Sequence, residues 1–301
     1  MKFSYFCSDV RNFSDRCGVS NLCQTENMLI IAATPIGNLG DTTQRLREAL
    51  QRVPTIACED TRVAGRLLDG LNIANRPRLI AIHDHNEKAK AEELVALAET
   101  EDVLLLSDAG MPTVSDPGYA VVQAAIAAEV PLTVLPGPSA PITALALSGL
   151  PTDRFSFEGF LPRKPQERLS RLAQLANASQ TLIFFESAQR LNDTLEAMAQ
   201  VFGEQRRAAV ARELTKLYEE VVRGTLAELV ALQREWRGEI CLVVAGAEAS
   251  AVTLAEGVAE VLALTASGLR LKQASEQVAE LTGLSKRELY QGALSARPAR
   301  D

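Results

Sequence analysis

Five short apolar runs recur along the first half of the chain, each followed by a turn and a helical pattern. They are Leu29 to Ala33, Thr55 to Cys58, Leu79 to Ile82, Val103 to Leu106 and Leu132 to Leu135. This alternation leaves few folds open. Runs without a polar face belong to strands buried on both sides, and a strand–helix–strand succession sets such strands parallel. The expected fold class is therefore α/β, with helices on both faces of a parallel sheet. Asp41 is read as the cap of a first helix reaching about Val53, with Gln44 three residues on as in a capping box.

Gly149-Leu150-Pro151-Thr152-Asp153 reads as a linker. A second α/β unit follows, with strands expected at Phe155 to Phe157, Leu182 to Phe185, Ala208 to Ala211, Leu217 to Val222 and Ile240 to Ala245. A helix is expected from about Leu191 to Phe202, and Thr225 to Glu228 forms a capping box opening another. Beyond Ala249 only helical patterns remain: Leu254 to Leu264, about Leu271 to Leu281, and Lys286 to Leu294. The last two flank Thr282-Gly283-Leu284, with Ser285 as cap and Glu288 closing a box, a helix-turn-helix signature. The expected division is an N-terminal α/β domain over 28–148, a C-terminal α/β domain over 149–249 and a helical tail over 250–301. Residues 1–27 show no amphipathic period and no signal-peptide apolar core. They read as a disordered extension, or as an over-long start with Met28 as the functional beginning.

A net charge of −7 argues against a protein that coats nucleic acid without specificity, although a local basic face is compatible with it. Prolines 131, 136, 138 and 141 interrupt the best candidate for a membrane span. Cys58 and Cys241 lie in strand-like runs, and Cys7, Cys17 and Cys23 lack metal-ligand spacing. This usage fits a reducing, cytoplasmic setting.

Ser107 to Gly118 is the densest candidate site. It follows the fourth strand, is rich in Gly, Pro, Ser and Asp, and contains no basic residue. The carboxyl ends of strands are where open α/β sheets place ligands, and this loop suits a neutral or cationic cofactor. Two further strand-end turns adjoin it: Thr34 to Gly40 reads first as a plain turn, and Leu135 to Ala140 reads equally as a rigid Pro turn with a Ser cap or as part of the same crevice. The first has no dinucleotide or P-loop glycine pattern. Cys58 to Arg62 reads first as a capped helix start. His83-Asp84-His85-Asn86-Glu87 holds both histidines, and the absence of a third favours a polar strand end over a metal site. Leu161 to Pro165, extended by Arg168 and Arg171, is a basic loop suited to phosphates or to solvent. Ala211 to Lys216 ends a strand with both charges and a hydroxyl, which reads either as a strand end reaching into a cleft between domains or as a salt-bridged surface turn. The stretch from Arg270 to Asp301 holds six Lys or Arg against four Asp or Glu, which favours RNA or DNA contact, with dimer packing as the competitor.

In this order the motifs Ala33 to Leu39, Ala57 to Arg62, His83 to Glu87, Ser107 to Gly118, Pro136 to Ser139, Ile183 to Ser187 and Ala211 to Lys216 resemble one family. It is the bacterial small-subunit ribosomal RNA 2′-O-ribose methyltransferases of the tetrapyrrole-methylase-like superfamily. The resemblance runs from Met28 to about Arg297. It implies two α/β domains of the class III methyltransferase type with a helix-turn-helix-like tail, S-adenosylmethionine in the cleft between the domains, and a homodimer. It also implies a cytidine ribose in the decoding region of small-subunit RNA as substrate, in the assembled 30S particle. By similarity the cofactor would touch Pro35, Ser107, Asp108, Ala109, Gly110, Met111, Val114, Ser139, Ala140, Phe185, Ala211 and Leu214. This chain has Met111 where the family usually has Thr, Ala188-Gln189 where Pro-His is common, and Asp84 where Glu is frequent.

A ribose hydroxyl is a poor nucleophile at neutral pH, so a base or a cationic stabiliser is expected; His85, Arg212, Glu213 and Lys216 are the candidates. Arg163, Lys164, Lys286 and Arg287 are the expected RNA contacts. The rival readings are a small-molecule methylase acting on a tetrapyrrole, and a non-enzymatic nucleic-acid-binding regulator.

Overall fold

The computed structural model describes residues 27–83, 85–247 and 253–296. The expected extension over 1–27 lies, apart from Asn27, outside the described residues, as does Asp84. The first sheet contains β1 (Leu29–Ala32), β2 (Thr55–Cys58), β3 (Arg78–Ala81), β4 (Val103–Leu106) and β5 (Leu132–Leu135). Its order is β3-β2-β4-β1-β5 and every pair is parallel. Successive side chains of a strand point to opposite faces, so each apolar run feeds two cores. Leu104 and Leu106 of β4 pack with α1 (Gln44–Arg52) and α2 (Thr61–Gly70) through Leu46, Leu50 and Leu68. Val103 and Leu105 pack on the other face with α3 (Glu87–Ala98) and α4 (Tyr119–Ala127) through Leu94 and Val121.

The structure corrects two expectations here. β3 and β5 are edge strands and are not buried on both faces: Leu132 and Val134 of β5 are exposed. Asp41 does not cap α1. It sits in a 3-10 turn, Leu39–Asp41, whose Asn38 side chain accepts from the Gly40 N–H. The helix begins later, where the Thr43 hydroxyl accepts the Leu46 N–H at 3.1 Å.

The second sheet contains β6 (Phe155–Phe160), β7 (Thr181–Ser187), β8 (Arg207–Arg212), β9 (Glu220–Thr225) and β10 (Glu239–Val244), in the order β6-β7-β10-β8-β9. Only β6 and β7 are parallel; the other pairs are antiparallel. The strand expected at Leu217 to Val222 lies at Glu220–Thr225 instead. Residues 213–219 close a tight loop, with Lys216 N–H bonded to the Glu213 carbonyl and Glu219 N–H to that of Lys216. One face of this sheet is covered by α6 (Pro165–Leu175), α7 (Leu191–Phe202) and α8 (Leu226–Ala231), the last opened by the Thr225–Glu228 capping box.

The opposite face is covered by α5 (Ala140–Ser148), which directly follows β5 of the first sheet. Its Ala144 and Leu145 pack against Ile183, Ala209, Ala211 and Val243, and Ile36 joins them from the first unit. A helix grown from one sheet thus serves as a layer of the other, and fixes the two sheets with their strand ends facing. The tail forms α9 (Leu254–Ala266), α10 (Leu271–Thr282) and α11 (Lys286–Ser295) around its own core of Val261, Ala274, Val278, Leu289 and Ala293. Gly283, at φ +71°, ends α10 in a left-handed turn that a residue with a Cβ rarely adopts, and Ser285 then caps α11. No helix among the described residues is long and apolar enough to cross a membrane.

Candidate active site

The site starts where β1 and β4 end side by side. Thr34 N–H donates to the Gly110 carbonyl at 2.9 Å and Gly110 N–H returns a bond to Thr34 at 3.2 Å. The buried Ser107 hydroxyl donates to the Gly110 carbonyl at 3.2 Å, and the Thr34 hydroxyl donates to the Ser107 carbonyl at 3.3 Å. These hydroxyls are used in shaping the loop, as buried polar groups require partners. Asp108 accepts the Asp60 N–H at 3.0 Å. Thr113 and Ser115 hold φ of +74° and +64°. Such conformations cost about 1–3 kcal/mol each and persist only where the surroundings enforce them. Part of that enforcement comes from Glu87, whose Oε1 accepts the N–H groups of Gly118 and Ala120 at 2.9 and 2.6 Å. Glu87, the last residue of the histidine-containing motif, therefore tethers the loop. Among the described residues no group of three His, Cys, Asp or Glu is placed to hold a metal.

The opposite wall comes from the ends of β7 and β8. Because β10 runs antiparallel to both, its beginning lies at their ends, which brings Gly238 to Cys241 into the wall. The Phe185 ring meets Phe157 edge-on at 4.9 Å and Phe160 at 5.5 Å. Glu186 is buried and satisfied: it accepts the Ser187 N–H at 2.8 Å and the Thr194 hydroxyl at 2.7 Å, with Arg190 Nε at 3.5 Å. Arg234 lies over Trp236 at 3.8 Å and grips Glu220, while the Trp236 indole donates to Asn192 at 3.0 Å. Between the walls lies a cleft of about 880 Å³, lined by residues 36, 108–111, 114–116, 139–141, 160, 185–189, 192, 211, 214 and 234–241. A second cavity of about 530 Å³ adjoins it and shares Ile36, Asp108, Ala109 and Glu239.

Of the residues expected to touch a cofactor, Asp108, Ala109, Gly110, Met111, Val114, Ser139, Ala140, Phe185, Ala211 and Leu214 line the larger cleft. Pro35 and Ser107 line the smaller cavity. Lys216 lines the smaller cavity, whereas His85, Arg212 and Glu213 line neither. Lys216 bonds Glu213 at 2.9 Å and Glu239 at 2.7 Å. Burial pulls its ammonium down, but these two carboxylates outweigh burial and hold it above its ordinary value. Glu213 is held below its own, first by the Glu239 N–H and then by Lys216. Glu213 is thus an ionised anchor and Lys216 a fixed cation. Burial pushes the Cys58 and Cys241 thiols up to about 12, so neither serves as a thiolate.

Cys58 to Arg62 is the capped helix start that was expected, with the Asp60 side chain accepting the Arg62 N–H at 2.8 Å. Arg163 and Arg287 are exposed; Lys164 pairs with Glu167 and Lys286 with Glu276. Arg168 and Arg171 do not extend the basic loop: Arg168 is buried beneath α7, and Arg171 is bound to Glu158 at 2.7 Å. The wall segment 234–241 escaped the sequence reading, because a search for sites at the carboxyl ends of strands passes over the beginning of an antiparallel one. Its signal was the chain's single tryptophan flanked by Arg234 and Arg237.

Two family models match the chain: Tetrapyrrole (Corrin/Porphyrin) Methylases over residues 28–230, and the RsmI C-terminal HTH domain over 252–297. Curated relatives are named ribosomal RNA small subunit methyltransferase I. That of Escherichia coli O157:H7 is 45% identical over 275 residues, covering 90% of this chain and 96% of the relative. That of Xylella fastidiosa Temecula1 is 45% identical over 274 residues, covering 89% and 99%. That of Mycobacterium tuberculosis H37Rv is 43% identical over 276 residues, covering 89% and 95%. Among solved structures, the methyltransferase CobJ superposes with a TM-score of 0.56 at 22% identity, covering 73% of this chain and 95% of that one. Diphthine synthase gives 0.55 at 14% identity, covering 72% and 89%. At these identities the structures establish the fold.

Proposed function

The chain belongs to the ribosomal RNA small subunit methyltransferase I family, within the tetrapyrrole methylases, and on that premise we propose that it methylates the ribose 2′-oxygen of a cytidine in the decoding region of small-subunit ribosomal RNA, using S-adenosylmethionine. The observation that carries this reading is the cleft between the two sheets. Its volume lies within the range of about 300–1,000 Å³ usual for cofactor sites. Its 107–118 wall lacks any basic residue and contributes Asp108 and Asp116; on the opposite wall Arg234 and Arg237 are paired with Glu220 and Glu235, so the acidic side suits a sulfonium cation. Phe185 and Phe160 offer ring surface for an adenine, and Gly110, at φ +83°, brings bare backbone to the wall.

The residues fit the cofactor. Residues 108–111 and 139–140 would hold it from the first sheet, and Phe185, Ala211 and Leu214 from the second. When bound, S-adenosylmethionine would supply an activated methyl group, to whose carbon the ribose oxygen would bond in line as the carbon–sulfur bond breaks, a neutral thioether leaving and the hydroxyl proton passing to solvent. The chain's task is alignment of that oxygen with the cleft, an effect worth about 7–11 kcal/mol in well-oriented reactions. Of the four catalytic candidates, Lys216 borders the space next to the cleft, and its fixed positive charge would favour the ribose alkoxide formed when the hydroxyl gives up its proton to solvent, the form that attacks the methyl carbon. Arg163, Lys164, Lys286 and Arg287 would contact RNA, so that backbone charge and shape dominate recognition.

The division into units over 28–148, 149–249 and 250–301 belongs to this reading, as do the 30S particle as substrate, a cytoplasmic setting and a homodimer. The exposed apolar side chains Ile126, Leu132, Val134 and Ile142 around edge strand β5 support the last of these. The test is incubation with labelled S-adenosylmethionine and small ribosomal subunits from a strain lacking this activity, followed by mapping of the label. Label on the ribose of one decoding-region cytidine is expected. Label elsewhere, or none, would overturn the reading.

A further inference from the structure

The methyl acceptor must reach the carbon held in the cofactor cleft, so it must occupy space that shares a wall with that cleft. The second cavity does so, through Ile36, Asp108, Ala109 and Glu239. At about 530 Å³ it is large enough for a nucleoside. Its lining divides by chemistry. Leu39, Val63 and Leu67 give apolar surface for the faces of a base, while Asp108 and Lys216 give an acceptor and a cation. An ammonium has three donors. Lys216 spends two, on Glu213 and Glu239, and keeps one.

Arg66 lines the same cavity from the exposed side of α2. It forms no ion pair or side-chain hydrogen bond with any described residue, whereas Arg62, one turn earlier, is bound to Asp60. An exposed arginine with an unused fork of donors beside a nucleoside-sized cavity is suited to a phosphate.

Resting on the function proposed above, we infer that the second cavity receives the target nucleoside, splayed out of the RNA, and that Arg66 holds a phosphate flanking it. RNA displays its 2′-hydroxyls at the surface of a helix, but a cavity recessed beside the cleft admits one only when the nucleotide that carries it is turned out of the strand, as sequence-specific RNA recognition turns out single-stranded nucleotides.

The experiment compares Arg66→Glu, Leu39→Trp and the unaltered protein for calorimetric affinity toward S-adenosylmethionine and for kcat/KM of methyl transfer to small subunits. Leu39 is 45% exposed, so a larger ring there fills the cavity without entering the core. Both variants are expected to keep cofactor affinity and to lose about tenfold or more in kcat/KM, the scale of one charge-assisted contact. Arg66→Glu, at an exposed helical position, decides the matter should Leu39→Trp fail to fold. Normal transfer by a folded Arg66→Glu would overturn this assignment alone. Absence of transfer by the unaltered protein would overturn the proposed function and the assignment together.

Discussion

Single residues set the walls of the cleft. Gly238 has φ +85°, and a Cβ there would come within 2.5 Å of the Glu213 carboxyl group. Gly238→Ala is therefore expected to strain the backbone and to break the Lys216–Glu213–Glu239 cluster, a loss of about 1–3 kcal/mol measurable by urea unfolding. Lys216→Ala is expected to leave cofactor affinity intact and to lower kcat, which calorimetry and single-turnover rates separate. Acid sensitivity follows from the anchored carboxylates. Glu213 is held down chiefly by the Glu239 N–H, and Glu220 chiefly by Arg234, both from an ordinary value of 4.5. A group with a lowered folded value stabilises the protein above its unfolded value and loses that contribution as pH falls through the folded one. Urea midpoints should thus hold at neutral pH and decline below 4.5. Glu220→Gln should show a smaller decline, with a lower midpoint at neutral pH.

At the level of elements, α5 is the piece on which the site depends. It leaves β5 of the first sheet and covers the second, so its packing sets the width of the cleft. Leu145→Ala, at a buried position on α5, is expected to cost about 2–5 kcal/mol and to weaken cofactor binding in proportion, as seen in parallel unfolding and calorimetric titrations. The tail behaves otherwise. Its core is separate, and the Thr253 cap serves α9 alone. Arg287→Glu should reduce affinity for small subunits and spare cofactor affinity. The central strands β1, β2 and β4 of the first sheet could be read almost to the residue, because parallel strands buried on both faces write themselves as unbroken apolar runs. The helix Leu191–Phe202 was equally legible through its amphipathic period. What stayed hidden was pairing at a distance. Nothing local in Ala140–Ser148 says which sheet it covers, and nothing local in Glu239–Val244 says that it runs antiparallel and brings its first residues to the cleft. Arg168 read as a surface cation because its burial is decided by α7, distant in sequence.

At the level of the whole molecule, the two sheets face each other by their strand ends, and both cavities lie where they meet. The order of motifs along the sequence carried the family resemblance, and the fold shows why they form a set: most are strand ends converging on one crevice, while Glu87 holds the loop between them. The central claim is that this crevice is a methyl-donor site. Calorimetric titration with S-adenosylhomocysteine, the demethylated product, tests it most directly. The account predicts one binding event per chain, weakened severely by Ala140→Trp in the cleft wall and unchanged by Arg287→Glu in the tail. An absence of binding, or binding indifferent to Ala140→Trp in a folded protein, would contradict it.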